Sequence, residues 1–177
     1  MTESTLVPFA LLGSGEGVKQ TVAIEGSPLS FAAEGHRAFG GTDSAPSPLD
    51  FALGALTSCT QVTGQIVASG NPKIALGRWE VAVKANLDGA VLLKGGEGVS
   101  NFRDVDLAVS VETNLDDDAF ARFAKDVEHR CPVTQLFRRS GVSVTTRWTA
   151  KKLAEVGAEL TRLHLKNPLF AGSEGDP

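Results

Sequence analysis

The segment from residue 47 to residue 69 constrains the fold most, because it is predicted to form one long helix with a single charged side chain. Ser47 offers an N-cap hydroxyl, Pro48 suits the first helical position, and Asp50 completes a capping box. A helix that is apolar on every side is buried on most of its faces. We therefore expect this helix to run through the centre of the fold or of a dimer, with Cys59 near its middle.

Strands are predicted before and after this helix along the chain, in short segments that are apolar or alternate between apolar and polar residues and are bounded by turn residues. The predicted strands are residues 6–12, 18–24, 29–33, 78–87, 105–112 and 142–148. A glycine-rich stretch at residues 13–17 predicts the first hairpin turn. The fourth and fifth strands alternate with a period of two residues, which indicates half-buried antiparallel strands.

A second helix is predicted at residues 116–130, just before the second cysteine. Its apolar stripe consists of Phe120, Phe123, Ala124 and Val127. Cys131 lies four residues beyond Val127 on the same stripe, so its side chain is expected to point toward the core. Pro132 disfavours helical geometry at Cys131 and suits the start of another helical turn at residues 133–138. The sequence therefore places Cys131 at a break between two helices.

The C-terminal part is predicted to add an amphipathic helix at about residues 150–165, followed by a flexible tail at residues 167–177. The apolar face of this helix would be formed by Leu153, Val156, Leu160 and Leu163. We expect residues 1–166 to form a single α+β domain, with its core at about residues 6–148.

Composition and charge exclude several classes of partner. The net charge is −4 and basic residues form no long run, so a nucleic-acid partner is not expected. No apolar stretch reaches the ~20 residues of a membrane span, and no secretory signal is apparent, which predicts a cytoplasmic protein without a membrane partner. His129 and Cys131 lack a second pair of ligands, so neither a metal nor another cofactor is expected. In a reducing compartment, a bond between the two cysteines would be transient and catalytic.

Several motifs arranged around the two cysteines resemble the OsmC and organic hydroperoxide resistance family, nearer its general OsmC-like branch. The first set comprises Gly40-Gly41-x-Asp43, Pro46-x-Pro48-x-Asp50 and the helical segment at residues 52–60 that carries Cys59. The second is the run from His129 to Val133 around Cys131. The two sets occur in the family's order and spacing, and the resemblance covers about residues 11–148.

The resemblance implies an OsmC-like fold, in which curved antiparallel sheets of an intertwined homodimer wrap paired central helices. It also implies reduction of organic hydroperoxides to alcohols. Cys59 would attack the peroxide and become a sulfenic acid, which Cys131 would resolve as a disulfide. An external dithiol, for example of the lipoyl type, would then reduce the disulfide.

The residues themselves favour Cys131 as the more acidic thiol, because it precedes a helix start and follows Arg130. Burial in an apolar helix would raise the pKa of Cys59. The family assignment therefore needs a cation near Cys59, for which we favour Arg37 over Lys19.

Related hydroperoxide-resistance proteins carry a glutamate directly after the proline, where this chain has Leu49. The nearest carboxylate is Asp50, which either takes part in catalysis or only caps the helix. Two other functions remain open. The same fold could serve as a non-catalytic stress-response protein that binds an apolar ligand, or the thiolate could serve hydrolysis or redox sensing.

Overall fold

The computed structural model describes residues 6–154. The strands are β1 (Leu11–Glu16), β2 (Lys19–Ile24), β3 (Ser30–Glu34), β4 (Leu76–Leu87), β5 (Phe102–Thr113) and β6 (Ser143–Lys152). The helices are α1 (Pro48–Ser69), α2 (Gly89–Lys94), α3 (Asp117–Arg130) and α4 (Pro132–Arg139). The predicted α+β composition is confirmed, and the described chain divides between Ala55 and Leu56 into two compact units, a first unit before this point and a second unit after it.

The first unit contains an antiparallel sheet in the order β1-β2-β3. The predicted position of β1 was wrong, because the strand runs through Gly13 and Gly15 instead of ending before them. A Cβ on Gly15 would lie 2.0 Å from the carbonyl oxygen of Lys19, so the close approach of β2 requires a glycine there. The turn is confined to Gly17 and Val18, and Gly17 takes a positive φ of 59°.

Glu34 at the end of β3 holds the loop that precedes α1. Its carboxylate accepts hydrogen bonds from the backbone N–H and the hydroxyl of both Thr42 and Ser44, at 2.6–2.9 Å. The Nζ atom of Lys19 lies 3.4 Å from the same carboxylate, and the Glu34 side chain is only 1% exposed. The loop is therefore fixed to the sheet by one buried acid.

The second unit contains a three-stranded sheet in the order β4-β5-β6. β4 and β5 pair antiparallel as predicted, but β6 runs parallel to β5, so the expectation of purely antiparallel sheets was wrong. The physical reason is that α3 and α4 lie between β5 and β6 in the chain, and a helical crossover returns the next strand in the parallel direction.

The core of the second unit forms between α1, α3 and this sheet. Its buried cluster consists of Val67, Ala68, Val111, Phe120, Phe123 and Val127. The predicted stripe of α3 is therefore confirmed, since all four of its residues are buried. Trp79 and Trp148 pack against the cluster, with their ring centroids 6.2 Å apart.

The helix α1 begins and ends where the sequence predicts, but in the part of the chain that the structure describes its second half is buried on one face. In the second unit the buried positions include Leu56, Thr60, Thr63 and Val67. On the opposite face, Val62 is 57% exposed and Ile66 is 54% exposed. Complete burial of this helix therefore remains a prediction that depends on a second copy of the chain.

The strand β6 continues to Lys152, beyond the predicted end of the last strand at residue 148. Ala150 pairs with Val111 of β5 and packs against the buried cluster, which favours the extended conformation there. The rest of the predicted helix and the predicted tail lie outside the described residues. The short helix α2 was not predicted, although Asp88 caps it by accepting a hydrogen bond of 3.0 Å from the backbone of Ala90.

Candidate active site

Cys59 lies in the middle of α1 and is partly buried. Its sulfur atom lies 4.0 Å from the hydroxyl oxygen of Thr63, one helical turn later on the same face. Thr63 itself is 5% exposed, so this polar contact points into the unit. The thiol of Cys59 is therefore at the boundary between the core and the surface.

Cys131 forms the break between α3 and α4. Its backbone is extended, with φ −69° and ψ 112°, because the following Pro132 disfavours helical geometry there. The same geometry makes Cys131 the N-cap of α4, and its sulfur accepts a hydrogen bond of 3.4 Å from the backbone N–H of Thr134. The side chain is fully buried, as the position on the α3 stripe predicts.

The fold brings the two cysteines, which are both reduced, into hydrogen-bonding contact. The two thiols share a hydrogen bond, and the backbone N–H of Val133 donates to the sulfur of Cys59. Val133 and Thr134 occupy the first turn of α4, so the N-terminus of one helix serves both sulfur atoms.

The pKa values of the two thiols shift in opposite directions. Burial raises the pKa of Cys59, and the neighbouring Cys131 adds to the increase, which the hydrogen bond from Val133 offsets only in part. Burial also raises the pKa of Cys131, but hydrogen bonds from Thr134, Cys59 and Thr63 outweigh it and the net shift is downward. A negative charge on the pair is therefore more stable on Cys131.

The two predicted cations lie in the first unit, each beside a carboxylate. The Nε atom of Arg37 lies 2.7 Å from Asp43, and this ion pair is exposed on both sides. Lys19 pairs with the buried Glu34, as described above. The principal influences on the pKa of Cys59 include no cation from the described part of the chain. Activation by Arg37 therefore stays a prediction.

Asp50 has the geometry of the capping-box acid of α1. Its carboxylate accepts hydrogen bonds from the backbone N–H of Ser47 at 2.9 Å and from the Ser47 hydroxyl at 2.7 Å. The backbone N–H of Asp50 in turn lies 3.2 Å from that hydroxyl. The hydrogen bonds from Ser47 lower the pKa of Asp50, so the side chain is an anion at neutral pH. These hydrogen bonds explain the presence of Asp50 as a capping residue of α1, and a catalytic role for Asp50 stays a prediction.

Thr63 and Thr134 also contact the two sulfur atoms, although neither residue was predicted from the sequence. Each follows a cysteine at helical spacing, four residues after Cys59 and three residues after Cys131. A search for hydroxyl side chains one turn away from each cysteine would have found both. Among the described residues, no group of three or more histidine, cysteine or acidic side chains is arranged to hold a metal ion.

A family model described as OsmC-like protein matches residues 41–147, which include both cysteines. No curated protein matches the sequence. In the part of the chain that the structure describes, no helix has the length and apolar character that crossing a membrane requires.

Solved structures share the fold at low sequence identity. The OsmC-like protein from Mycoplasma pneumoniae matches with a TM-score of 0.68 at 15% identity, over 81% of this chain and 97% of that one. An organic hydroperoxide resistance protein OsmC from Legionella pneumophila matches with a TM-score of 0.62 at 16% identity, over 82% and 99%. One from Elizabethkingia anophelis matches with a TM-score of 0.61 at 18% identity, over 85% and 100%. At these sequence identities, the matches show that the fold is shared.

Proposed function

Because this chain belongs to the OsmC-like protein family, we propose that it is a thiol peroxidase that reduces organic hydroperoxides through Cys59 and Cys131. The observation that carries the proposal is the hydrogen-bonded contact between two reduced cysteines that are far apart in the sequence. Two of the structural relatives are described as organic hydroperoxide resistance proteins, which supports the same substrate class.

The reaction needs one sulfur that a peroxide can reach and a second sulfur close to it. Cys59 is partly exposed, whereas Cys131 is fully buried, so we assign the attack to Cys59. Its sulfur forms a bond to one peroxide oxygen, the O–O bond breaks, and the released alkoxide takes up a proton to become the alcohol. Cys59 is then a sulfenic acid.

Resolution follows from the contact between the two sulfur atoms. Cys131 attacks the sulfur of the Cys59 sulfenic acid, an S–S bond forms, and the hydroxyl leaves as hydroxide or water. Two thiols have then been oxidised to a disulfide and one hydroperoxide has been reduced to an alcohol. An external dithiol, for example of the lipoyl type, restores the thiols by disulfide exchange.

We propose that the working form is a homodimer. On the face of α1 opposite the core, Ser58, Gln61, Val62, Gln65 and Ile66 are exposed at helical spacing. This mixture of small, amide and apolar side chains carries no charge, which suits contact with a second copy of the same helix better than contact with water. The second copy would also complete the burial that the sequence predicts for α1.

Peroxide consumption tests the proposal directly. Reduced protein is mixed with tert-butyl hydroperoxide and a dithiol such as dihydrolipoamide, and the remaining peroxide is measured over time. The wild type is expected to turn over, Cys59→Ser to be inactive, and Cys131→Ser to lose disulfide formation. Absence of turnover in the wild type, or full turnover in Cys59→Ser, would refute the peroxidase function.

One observation favours a second function, the non-catalytic binding of an apolar ligand. The raised pKa of Cys59 would leave this thiol unreactive near neutral pH if nothing in the dimer lowered it. Slow alkylation of Cys59 by iodoacetamide, together with no peroxide consumption, would support this alternative.

A further inference from the structure

We infer that the reduced pair carries its negative charge on Cys131 and that Cys131 is the base that takes the proton of Cys59 when the peroxide is attacked. This inference rests on the proposed peroxidase function. It assigns Cys131 a role before the resolving step, so that one residue would serve as base, acid and nucleophile in turn.

The geometry around the sulfur of Cys131 is that of a site for an anion. The sulfur is the N-cap of α4, where the backbone N–H of Thr134 lies 3.4 Å away. Hydrogen bonds with the side chains of Thr134, Cys59 and Thr63 add to this effect and lower the pKa of Cys131. Several donors converge on one buried sulfur, and a thiolate accepts such hydrogen bonds better than a thiol does.

In residues 6–154, no charged side chain is among the principal causes that lower the pKa of Cys131. No acidic or basic residue occurs on α1 between residues 56 and 69. On α3, His129 is exposed and Arg130 forms an exposed pair with Asp126 at 3.2 Å. On α4, Arg138 pairs with Glu128 at 2.6 Å, near the opposite end of the helix from Cys131. The charge on Cys131 therefore depends on uncharged donors and on the N-terminus of α4.

The thiol of Cys59 lies beside the proposed base. The two thiols interact through a hydrogen bond, so a proton can pass between their sulfur atoms, and the hydrogen bond from the backbone N–H of Val133 would stabilise the thiolate formed on Cys59. Proton transfer between two adjacent sulfur atoms lets the exposed thiol become a nucleophile only when a peroxide is in place.

The sequence of steps balances in atoms and charge. Cys131 thiolate takes the proton of Cys59, and the Cys59 thiolate attacks the hydroxyl oxygen of the hydroperoxide. The alkoxide leaves and receives the same proton back from Cys131, which gives the alcohol. Cys131, again a thiolate, attacks the sulfenic acid and releases hydroxide. One thiol, one thiolate and one hydroperoxide thus give a disulfide, an alcohol and a hydroxide.

Ultraviolet absorbance of the thiolate, followed against pH without peroxide, tests the assignment in the full-length reduced protein. Cys59→Ser is expected to keep a thiolate that titrates below the ordinary pKa of about 8.5, whereas Cys131→Ser titrates only above it. The reverse order would overturn the inference. Because the titration contains no peroxide, the reverse order would leave the peroxidase proposal intact. If the expected order is found but the wild type does not consume peroxide, the peroxidase proposal fails and the assignment of the charge to Cys131 stands.

Thr134→Val provides a second test that keeps the backbone of α4. Loss of the hydroxyl is expected to raise the apparent pKa of the thiolate in Cys59→Ser by about one pH unit. The matched control is Thr60→Val in the same background, because the Thr60 hydroxyl donates to the carbonyl oxygen of Leu56 at 2.7 Å and not to a sulfur. An equal pKa in both variants would show that the hydroxyl of Thr134 does not stabilise the charge and would contradict the inference.

Discussion

The indole nitrogen of Trp148 donates a hydrogen bond of 2.7 Å to the carboxylate of Glu128, and this contact ties β6 to the end of α3 just before Cys131. The other carboxylate oxygen accepts a hydrogen bond of 2.6 Å from Arg138 of α4. The backbone carbonyl of Glu128 also accepts a hydrogen bond of 2.9 Å from the amide of Gln135. Glu128 therefore holds both helices that flank Cys131 against the sheet.

Replacing Glu128 by alanine is expected to lower the free energy of unfolding by about 1–3 kcal/mol, because it leaves the partly buried indole N–H without its acceptor and releases Arg138. Urea denaturation followed by tryptophan fluorescence measures the loss. Asp126→Ala is the matched control, since it removes only an exposed pair on the same helix and should cost about 0.5 kcal/mol or less. Equal losses in the two variants would show that the contact with Trp148 is not important for stability.

Glu34→Gln is expected to remove the part of the folding stability that depends on the ionised carboxylate of Glu34. Burial raises the pKa of Glu34, but the hydrogen bonds from Thr42 and Ser44 outweigh it and hold the pKa far below its usual range. A carboxyl group whose pKa is lowered by folding stabilises the protein above its unfolded pKa of about 4.3, and the stabilisation is lost as the pH falls below that value. The urea midpoints of wild type and Glu34→Gln should therefore differ at neutral pH and converge in acid.

Glu25→Gln is the control for the acid test, because Glu25 is an exposed carboxylate in the same unit. Its urea midpoint should follow that of the wild type at every pH. A difference between wild type and Glu34→Gln that stays constant from neutral to acid pH would contradict the role assigned to the Glu34 carboxylate.

Local rules were sufficient to predict most helices, because their signals lie close together in the sequence. Ser47 and Asp50 define the start of α1, and Pro132 separates α3 from α4. The direction of β6 could not be predicted from local rules, because its hydrophobic pattern fits a parallel or an antiparallel neighbour equally well. β1 was misplaced because Gly15 was interpreted as a turn residue, although it permits close approach of a neighbouring strand.

The two cysteines could be identified from the sequence, but their contact and their relative acidity could be identified only in part. The position of Cys131 before Pro132 correctly indicated a helix N-terminus. The hydrogen bond between the thiols depends on how α1 packs against the junction of α3 and α4, and no local pattern records that packing. Thr63 could have been identified from its spacing, because it follows Cys59 by one helical turn on the same face of α1.

Gly64→Ala is expected to destabilise the second unit by about 1–3 kcal/mol through overpacking. A Cβ at this position of α1 would lie 2.4 Å from the ring of Trp79, and the ring is held by Phe123 and Trp148. The strain should exceed the ~1 kcal/mol that alanine normally gains over glycine inside a helix. Gly96→Ala is the control, because an added Cβ there meets no atom within 4 Å. An unchanged or higher stability of Gly64→Ala would show that the ring moves aside without cost.

Ile66→Glu is expected to prevent dimer formation, because a buried charge without a partner is unfavourable in the proposed interface. Ile66 is 54% exposed in the single chain, so the substitution should not disturb the fold of one copy. Size-exclusion chromatography with light scattering measures the mass, and circular dichroism checks the helix content. Val99→Glu is the control, since Val99 is 79% exposed and lies outside α1. A dimer that persists in Ile66→Glu would exclude this face as the interface.

Arg37→Ala is expected to lower kcat/KM for tert-butyl hydroperoxide by about 10-fold to 100-fold if Arg37 supplies the cation for Cys59, because a nearby positive charge lowers the pKa of a thiol. The exposed pair with Asp43 competes for the same guanidinium. Asp43→Ala should therefore maintain or increase the activity, whereas Lys19→Ala, which removes a cation bound to Glu34, should leave the pH dependence of kcat/KM unchanged. If Arg37→Ala keeps both the wild-type rate and the wild-type pH profile, the N-terminus of α4 and its hydroxyl donors are sufficient to activate the pair without a cation.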